Sequence, residues 1–403
     1  RDLAVRAAVE QGLVTGDHTP VAALLDVAAV REAARSLHAA FRAVAAPGQP
    51  VLHTFAVKAA SLVPVLRLLD GEGIGCEVAS PGELALARAA GVPPERTVLD
   101  SPAKTRTELR EALGAGIALN ADNPGELARL DALSPAPQAR VGLRVNPQVG
   151  GGAIGAMSTA TATSKFGFPL RDEGARPWLV RAVLDRPWLT RLHAHVGSQG
   201  IPLELMAEGV RALYELAEEI NAAAERELGH RRIDTLDLGG GLPVDFASDA
   251  TDPSYADYAR LLARTVPGLF DGSYGLVTEF GRSLTAKAGT VLARVEYAKS
   301  AGGRRIAVTH AGAQLAVRTV FAPDAWPLRV AAYDAKGRPR TEAPVVQDVA
   351  GPCCFAGDLV ARSRRLPPLD EGDYAALLDT GAYYFSTPFA YNSLPRPGVY
   401  GYA

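Results

Sequence analysis

VLHTFAVKAASLVPVLRLLDGEGIGCEVASPGELALARAAG, residues 51–91, carries the pattern from which the fold is read. A short apolar run, VLHTFAVK (51–58), gives way to an amphipathic stretch. A second run, GIGCEVAS (73–80), follows, and a second amphipathic stretch ends at Gly91. Ser80 with Glu83 three residues on marks a helix start, and the closing glycine marks a helix stop. Strand, helix and strand in alternation is the repeating unit of a parallel sheet. The unit recurs through TVLDS (97–101), IALNAD (117–122), VGLRVNP (141–147), RLHAHVGS (191–198), DTLDLGGG (234–241) and YGLVTEFGR (274–282), eight runs in all. Eight parallel strands close a barrel. No G-x-G-x-x-G follows the first run, and nearly every run ends on a polar residue or glycine: Lys58, Glu77, Ser101, Asp122, Arg144, His195, Gly239 to Gly241 and Glu279. That is the expectation for the catalytic rim of a (β/α)8 TIM-type barrel.

Outward from the barrel the rhythm changes. Between the fifth and sixth runs lies a long connection, Gln148 to Thr190, with GGAIG and STATATSKFGF, which reads as a binding loop on the rim. Beyond Arg282 come strand-like segments at short spacing, TVLARVEYAKS, RRIAVTH, PLRVAAYDA, APVVQDVAG and DYAALLDTGAYYF, with no convincing helix before AYNS. The expected organisation is a barrel over 28–275 and a separate antiparallel β domain over 276–403, joined by residues 1–27 through the strand-like PVAALLD.

Composition excludes several classes. The 403 residues include 48% hydrophobic and 21% charged residues, with net charge −2, and 42 Lys plus Arg are interspersed among 44 Asp plus Glu. Such a chain buries a large core and offers neither a nucleic-acid surface nor a polybasic membrane patch. No apolar run approaches the ~18 residues of a membrane span. Two of the three cysteines, Cys353 and Cys354, are adjacent, which argues against a disulfide framework and for a reducing, cytoplasmic setting. The expected partner is a small molecule.

At the rim, Lys58 follows the apolar FAV, where desolvation suits an imine-forming amine; an ordinary surface lysine is the other reading. The glycine triplet 239–241 suits a phosphate held by backbone N–H groups, or simply a tight turn. His193 and His195, two apart on a strand, have the H-x-H form of a metal pair, but no carboxylate cluster completes it and no metal is expected. Glu279 suits a carboxylate that keeps a heterocyclic nitrogen protonated, or one ion-paired with an arginine. A thiol at 353 or 354 is a candidate proton donor, or an inert core cysteine.

Together the segments FAVKA around Lys58, CEVASPGELALARAAGV, KFGF (165–168), HAHVGSQ (193–199), LDLGGGLP (236–243), EFGR (279–282), GPCCFAGD (351–358), GAYYFS (381–386) and YNSLPRP (391–397) resemble the fold-type III pyridoxal-phosphate decarboxylases of diaminopimelate, ornithine and arginine, nearest the diaminopimelate branch. The resemblance implies an alanine racemase-like barrel with a C-terminal β domain, pyridoxal 5'-phosphate as cofactor and an amino acid as substrate. By it, Lys58 forms the imine link, His195 stacks on the ring and Glu279 pairs with the ring nitrogen. Ser198, Gly239, Gly240, Gly241, Gly281, Arg282 and Tyr383 hold the phosphate, Tyr383 also lying beside the substrate. Glu77 stands where the family usually has Asp. Cys354 rather than Cys353 matches the proton-donating cysteine, which in the family comes from the second subunit, so a homodimer is implied.

The distal pocket departs from the diaminopimelate pattern. The residue after the catalytic cysteine, an acid in the family, is Phe355; R-P-A-L-Y reads Arg318-Thr319-Val320-Phe321-Ala322; EPGR reads EFGR; D-A-G reads His310-Ala311-Gly312. A phenylalanine accepts no hydrogen bond from a distal ammonium, a loss of several kcal/mol of binding. The expected substrate therefore keeps a carboxylate or carbonyl for Arg282 and Arg318 without a free ammonium near Phe355, such as an acylated diamino acid or carrier-linked glutamyl group of siderophore or antibiotic assembly. Alternatives are an ordinary meso-diaminopimelate decarboxylase making L-lysine, and a catalytically silent cofactor-binding relative.

Overall fold

The computed structural model describes residues 1–403, and the chain divides into two compact units. One comprises Ala33–Val244 with Asp252–Leu284; the other comprises Arg1–Glu32, Asp245–Thr251 and Thr285–Ala403.

The first unit is the barrel. Its eight strands are Val51–Ala56, Gly75–Val78, Thr97–Leu99, Ala118–Ala121, Val141–Asn146, Leu189–His193, Thr235–Asp237 and Gly275–Phe280, one within each of the eight runs. Every neighbouring pair is parallel. The first strand pairs with the eighth and the fourth with the fifth, so the sheet closes. Closure explains why four of these strands are buried along their whole length instead of alternating, as is usual where a parallel sheet is covered on both faces. Each strand is short, and the helices after it are capped as the sequence predicts. Ser80 Oγ accepts from Glu83 N at 3.2 Å, Thr105 and Glu108 form a reciprocal capping box, and Asn123 Oδ1 accepts from Glu126 N at 3.0 Å. Gly91 and Gly116 close two of these helices with φ of +86° and +71°, a conformation that costs glycine nothing.

The excursion after the fifth strand contains a helical turn at Gly155–Met157, a two-residue strand Phe168–Pro169 beside the fifth barrel strand, and the helix Ala175–Leu184. Its first part is fastened to the rim. Thr159 N donates to Val196 O at 2.9 Å, Ser198 N to Met157 O at 3.1 Å, and Thr159 Oγ1 to His195 O at 2.5 Å.

The second unit holds a mixed sheet in which Val330–Tyr333, Tyr374–Leu378, Gly289–Ala301, Arg304–Thr309, Val345–Ala350 and Leu359–Leu366 are neighbours in that order. Val21–Asp26 pairs antiparallel with Gly289–Ala301 and parallel with Gly398–Tyr402, and Arg304–Thr309 is parallel to Val345–Ala350, so the sheet is only mostly antiparallel.

Several features differ from the sequence reading. The strand Gly275–Phe280 belongs to the barrel, so the division falls at Leu284 rather than 275. Asp245–Thr251 joins the β unit, where Asp249 Oδ1 accepts from Arg1 and Arg329, each at 2.8 Å. Helix Asp2–Glu10 packs Val5 and Ala8 against Leu24, Leu292 and Ala376. Helix Ala313–Phe321 went unread because it is buried on several sides and kinked at Ala316, which erases the one-face periodicity of a surface helix. AYNS forms only a single turn, Tyr391–Ser393.

His53, on the first barrel strand, is 2% exposed, with Nδ1 2.8 Å from Thr278 Oγ1. Burial, reinforced by His38, pushes its pKa down to about 3. The unfolded chain therefore takes up a proton below the ordinary histidine range that the native chain refuses, so this stability is complete above pH ~6.5 and is lost progressively as pH falls toward 3. Urea unfolding of His53→Asn at neutral and mildly acidic pH is expected to show a flatter dependence than the parent.

Candidate active site

Closure brings the strand ends together. Lys58 sits in the turn Val57–Ala59 directly after the first strand, and Glu77 lies on the second. Asp100 follows the third strand, Arg144 lies within the fifth and His193 ends the sixth, with His195 two residues on; Gly239 to Gly241 follow the seventh, and Glu279 lies near the end of the eighth. The expected apolar collar around Lys58 is corrected. Its Nζ makes a short ion pair with Glu77 and its side chain is 45% exposed, because an acid, not a hydrophobe, faces it from the next strand. Burial pushes the Glu77 carboxyl upward, with Lys58 pulling the other way.

Asp100, absent from the sequence-based candidates, is the group that organises the interior. Its Oδ2 is 3.1 Å from Arg144 Nη1 and 3.1 Å from His193 Nδ1. Burial alone would raise its pKa, but Arg144, His193 and Lys104 outweigh burial and hold it ionised. The guanidinium of Arg144 also lies over the Phe166 ring, 4.3 Å from its centre, which ties the excursion to this ion pair. Glu279 is 7% exposed, and its carboxyl is pushed well up by burial and by Asp237, Asp100 and Glu77, with Lys58 opposing. One of its oxygens, Oε1, is buried with no hydrogen-bond partner. Such an orphan acceptor fits a protonated heterocyclic nitrogen.

The glycine triplet works differently from the expectation that all its N–H groups converge on a phosphate. Gly239 N donates to Asp237 Oδ1 at 3.1 Å and Gly240 N to His195 Nδ1 at 3.1 Å. The glycines are needed for room: a Cβ on Gly240 would sit 2.1 Å from the Glu279 carbonyl oxygen and one on Gly241 1.9 Å from that of Gly197. Because His195 Nδ1 accepts a hydrogen bond, its ring is neutral, in keeping with a pKa driven well down by burial and by Arg144, His193 and Lys58. A neutral, flat imidazole on the rim suits stacking. Ser198 lies on the segment after the sixth strand, and Gly281 and Arg282 directly follow the eighth.

In the β unit, the loop Gly351–Asp358 is closed by Asp358, whose carboxylate accepts from Ala313 N and Cys353 N, both at 2.6 Å. Cys353 is buried and its thiol is pushed up to about 11, mainly by burial, whereas Cys354 is exposed, with its N–H on Asn392 Oδ1 at 2.9 Å. Only Cys354 can present its sulfur outward. Phe355 stacks on Phe321 with ring centres 5.4 Å apart and meets Tyr391 edge-on at 5.2 Å. The Arg318 guanidinium lies between the rings of Tyr383, at 4.7 Å, and Trp326, at 5.0 Å, and its Nη1 is buried without a hydrogen-bond partner. Tyr383 adopts a left-handed φ of +64°.

Since the atom closest to a Cβ on Gly240 is backbone, Gly240→Ala is expected to destabilise the barrel unit by about 2 kcal/mol or more in a denaturant titration.

Residues 28–286 match the family described as pyridoxal-dependent decarboxylase, pyridoxal binding domain. The chain is 36% identical over 352 residues to the diaminopimelate decarboxylase of Pseudomonas aeruginosa, covering 87% of this chain and 80% of that one. Among solved structures, diaminopimelate decarboxylase from M. jannaschii in complex with L-lysine superposes with a TM-score of 0.84 at 26% identity, over 99% of this chain and 89% of that one. The enzyme from Helicobacter pylori, also with L-lysine, gives 0.82 at 25% identity over 96% and 92%. No helix is long and apolar enough to cross a membrane. With the family matched over most of the barrel and its lysine, histidine and glutamate on one rim, the chain belongs to the pyridoxal-dependent decarboxylases, carboxy-lyases that use pyridoxal phosphate.

Proposed function

We propose that the chain removes the carboxyl group of a diaminopimelate-type amino acid, with meso-diaminopimelate as substrate and L-lysine as product. The observation that carries the substrate reading is Arg318: a guanidinium gripped between two aromatic rings, with one buried nitrogen unpaired, is a receptor for a carboxylate at the far end of the substrate. The names of the relatives point the same way.

When bound, pyridoxal phosphate supplies the electron sink for the pair left behind as carbon dioxide departs. The residues prepare the rest. Lys58 offers the amine that holds the aldehyde, and Glu77 beside it accepts its proton or hydrogen bond. His195, kept neutral by the Gly240 N–H, would lie against the ring face, and Glu279 would take the ring nitrogen on its orphan oxygen. By the family resemblance, Ser198, Gly241, the backbone at Gly281 and Arg282, and Tyr383 would take the phosphate. Cys354, whose N–H is held by Asn392 and whose neighbour Cys353 is held by Asp358, would return a proton to the carbon that lost its carboxyl. We infer a head-to-tail homodimer in which Cys354 of one copy serves the barrel of the other, in the reducing, cytoplasmic setting that three free cysteines suit.

A second reading rests on Phe355. Its packing with Phe321 and Tyr391 builds an aromatic wall beside Cys354 where the relatives' pattern has an acid. Such a wall favours a substrate without a free distal ammonium, for example an acylated diamino acid of siderophore assembly. Carbon dioxide release from meso-diaminopimelate and from such an acylated acid separates the two. Turnover of the former with Arg318→Met losing about 2–4 kcal/mol in kcat/KM supports the first reading. No turnover of diaminopimelate by the parent, with turnover gained in Phe355→Glu, establishes the second. Lys58→Ala and Cys354→Ala, each inactive alone, are expected to recover about a quarter of parent activity when mixed and reassembled, since one mixed site in two is intact in half the dimers. No recovery on mixing removes the shared-site dimer.

A further inference from the structure

We propose that His193 is a positioning residue for the cofactor: clamped between Asp100 and Glu279 in the dry barrel interior, it supplies the positive charge that keeps Glu279 ionised and able to hold the ring nitrogen in its protonated form. His193 is 0% exposed. Its Nδ1 is 3.1 Å from Asp100 Oδ2 and its Nε2 is 3.5 Å from Glu279 Oε2. A histidine between two carboxylates has acceptors on both sides, and only the doubly protonated ring has a donor for each. The two contacts have ion-pair length without full hydrogen-bond alignment.

The surrounding charges explain why such a group is needed. Facing Glu279 are Asp237 from the seventh strand, Glu77 from the second and Asp100 after the third, all acidic; Lys58 and Arg191 are the other cations within electrostatic reach. Lys58 is committed to Glu77 and to the cofactor aldehyde, and Arg191 lies two residues below His193 on the same strand. Burial and the surrounding acids push the Glu279 carboxyl toward its neutral form, and a cation against its Oε2 opposes that push. A neutral carboxylic acid is a poor partner for a protonated ring nitrogen. The chain Arg144, Asp100, His193, Glu279 alternates in charge, each member within 3.5 Å of the next. Near this chain of charges, His195 is kept neutral by the Gly240 N–H, Arg144 is paired with Asp100 and lies 3.9 Å from Asp122, and Lys104 acts on Asp100.

The same three side chains bring ligand atoms within 4.8 Å of one another, a spacing that would also accommodate a small cation. Arg144 already neutralises Asp100, which disfavours a metal cation there.

The test uses the holoenzyme loaded with pyridoxal phosphate labelled with nitrogen-15 in the ring. In the parent the nitrogen resonance is expected at the protonated position throughout the neutral range. In His193→Asn it is expected to titrate to the unprotonated position, its midpoint lower by about one pH unit or more. Asp100→Asn should shift it in the same direction, and His193→Gln serves if the asparagine variant does not fold. With turnover measured on whichever substrate is active, kcat is expected to fall about tenfold while KM stays within about twofold. Glu279→Gln should give the unprotonated signal alone, and adding His193→Asn should move it no further. An unchanged nitrogen resonance in both His193 variants, or stoichiometric zinc in the parent holoenzyme, would overturn the proposal. The resonance is read without substrate, so its outcome is independent of whether diaminopimelate is the molecule decarboxylated.

Discussion

Closing eight parallel strands into a ring gathers the last residues of those strands around one small space and shuts water out of the layer beneath. Charges placed there lose their hydration and must be compensated by partners, most of them arriving from other strands. Lys58 is matched by Glu77 from the adjacent strand, and Arg144 by Asp100 from across the barrel, with His193 between Asp100 and Glu279. Losing one member leaves a buried charge unanswered, and this makes the set a unit. The catalytic potential of the rim arises from that compulsion: a lysine and a glutamate are held at defined positions because each is bound into the compensation of its neighbours.

The backbone yields to the same constraint. Three successive glycines at 239–241 let the chain pass between the Glu279 carbonyl and the Gly197 carbonyl at distances no side chain tolerates, and the turn so formed aims Gly240 N–H at His195. One hydrogen bond thus decides that His195 is neutral at the moment it is needed as a flat surface. The excursion after the fifth strand is bound into the arrangement through Phe166 under Arg144 and Thr159 on the His195 carbonyl. Chemistry and loop position are coupled through these contacts.

The β unit solves a different problem, the presentation of a thiol. Asp358 satisfies one backbone donor of its own loop and one of the helix Ala313–Phe321, and in that loop Cys353 is buried while Cys354 is exposed. Around it, Phe355, Phe321 and Tyr391 form a surface of rings, while Arg318 is steadied by Tyr383 and Trp326. An aromatic wall and a steadied guanidinium differ in what they can bind, the one apolar and the other anionic groups.

Much of this was legible in the residues. The eight barrel strands fall within the eight runs read from alternation of strand and helix, because buried parallel strands are short apolar runs and the caps Ser80, Thr105 and Asn123 act locally. Lys58, His195, Glu279 and Cys354 were legible through motifs. The helix Ala313–Phe321 was not, being buried on several faces, nor was the strand Leu359–Leu366, whose LVARSRRL reads as charged surface. Asp100 escaped notice because TVLDS looks like any strand end, and its importance lies in what stands across the barrel from it. Local pattern therefore determined the architecture and the chemical vocabulary of the rim. Which acid faces Lys58, that Gly239 and Gly240 spend their N–H groups on Asp237 and His195, and that His193 stands between two carboxylates were decided only when the ring closed, since those partners lie on different strands and no spacing along the chain encodes their distance.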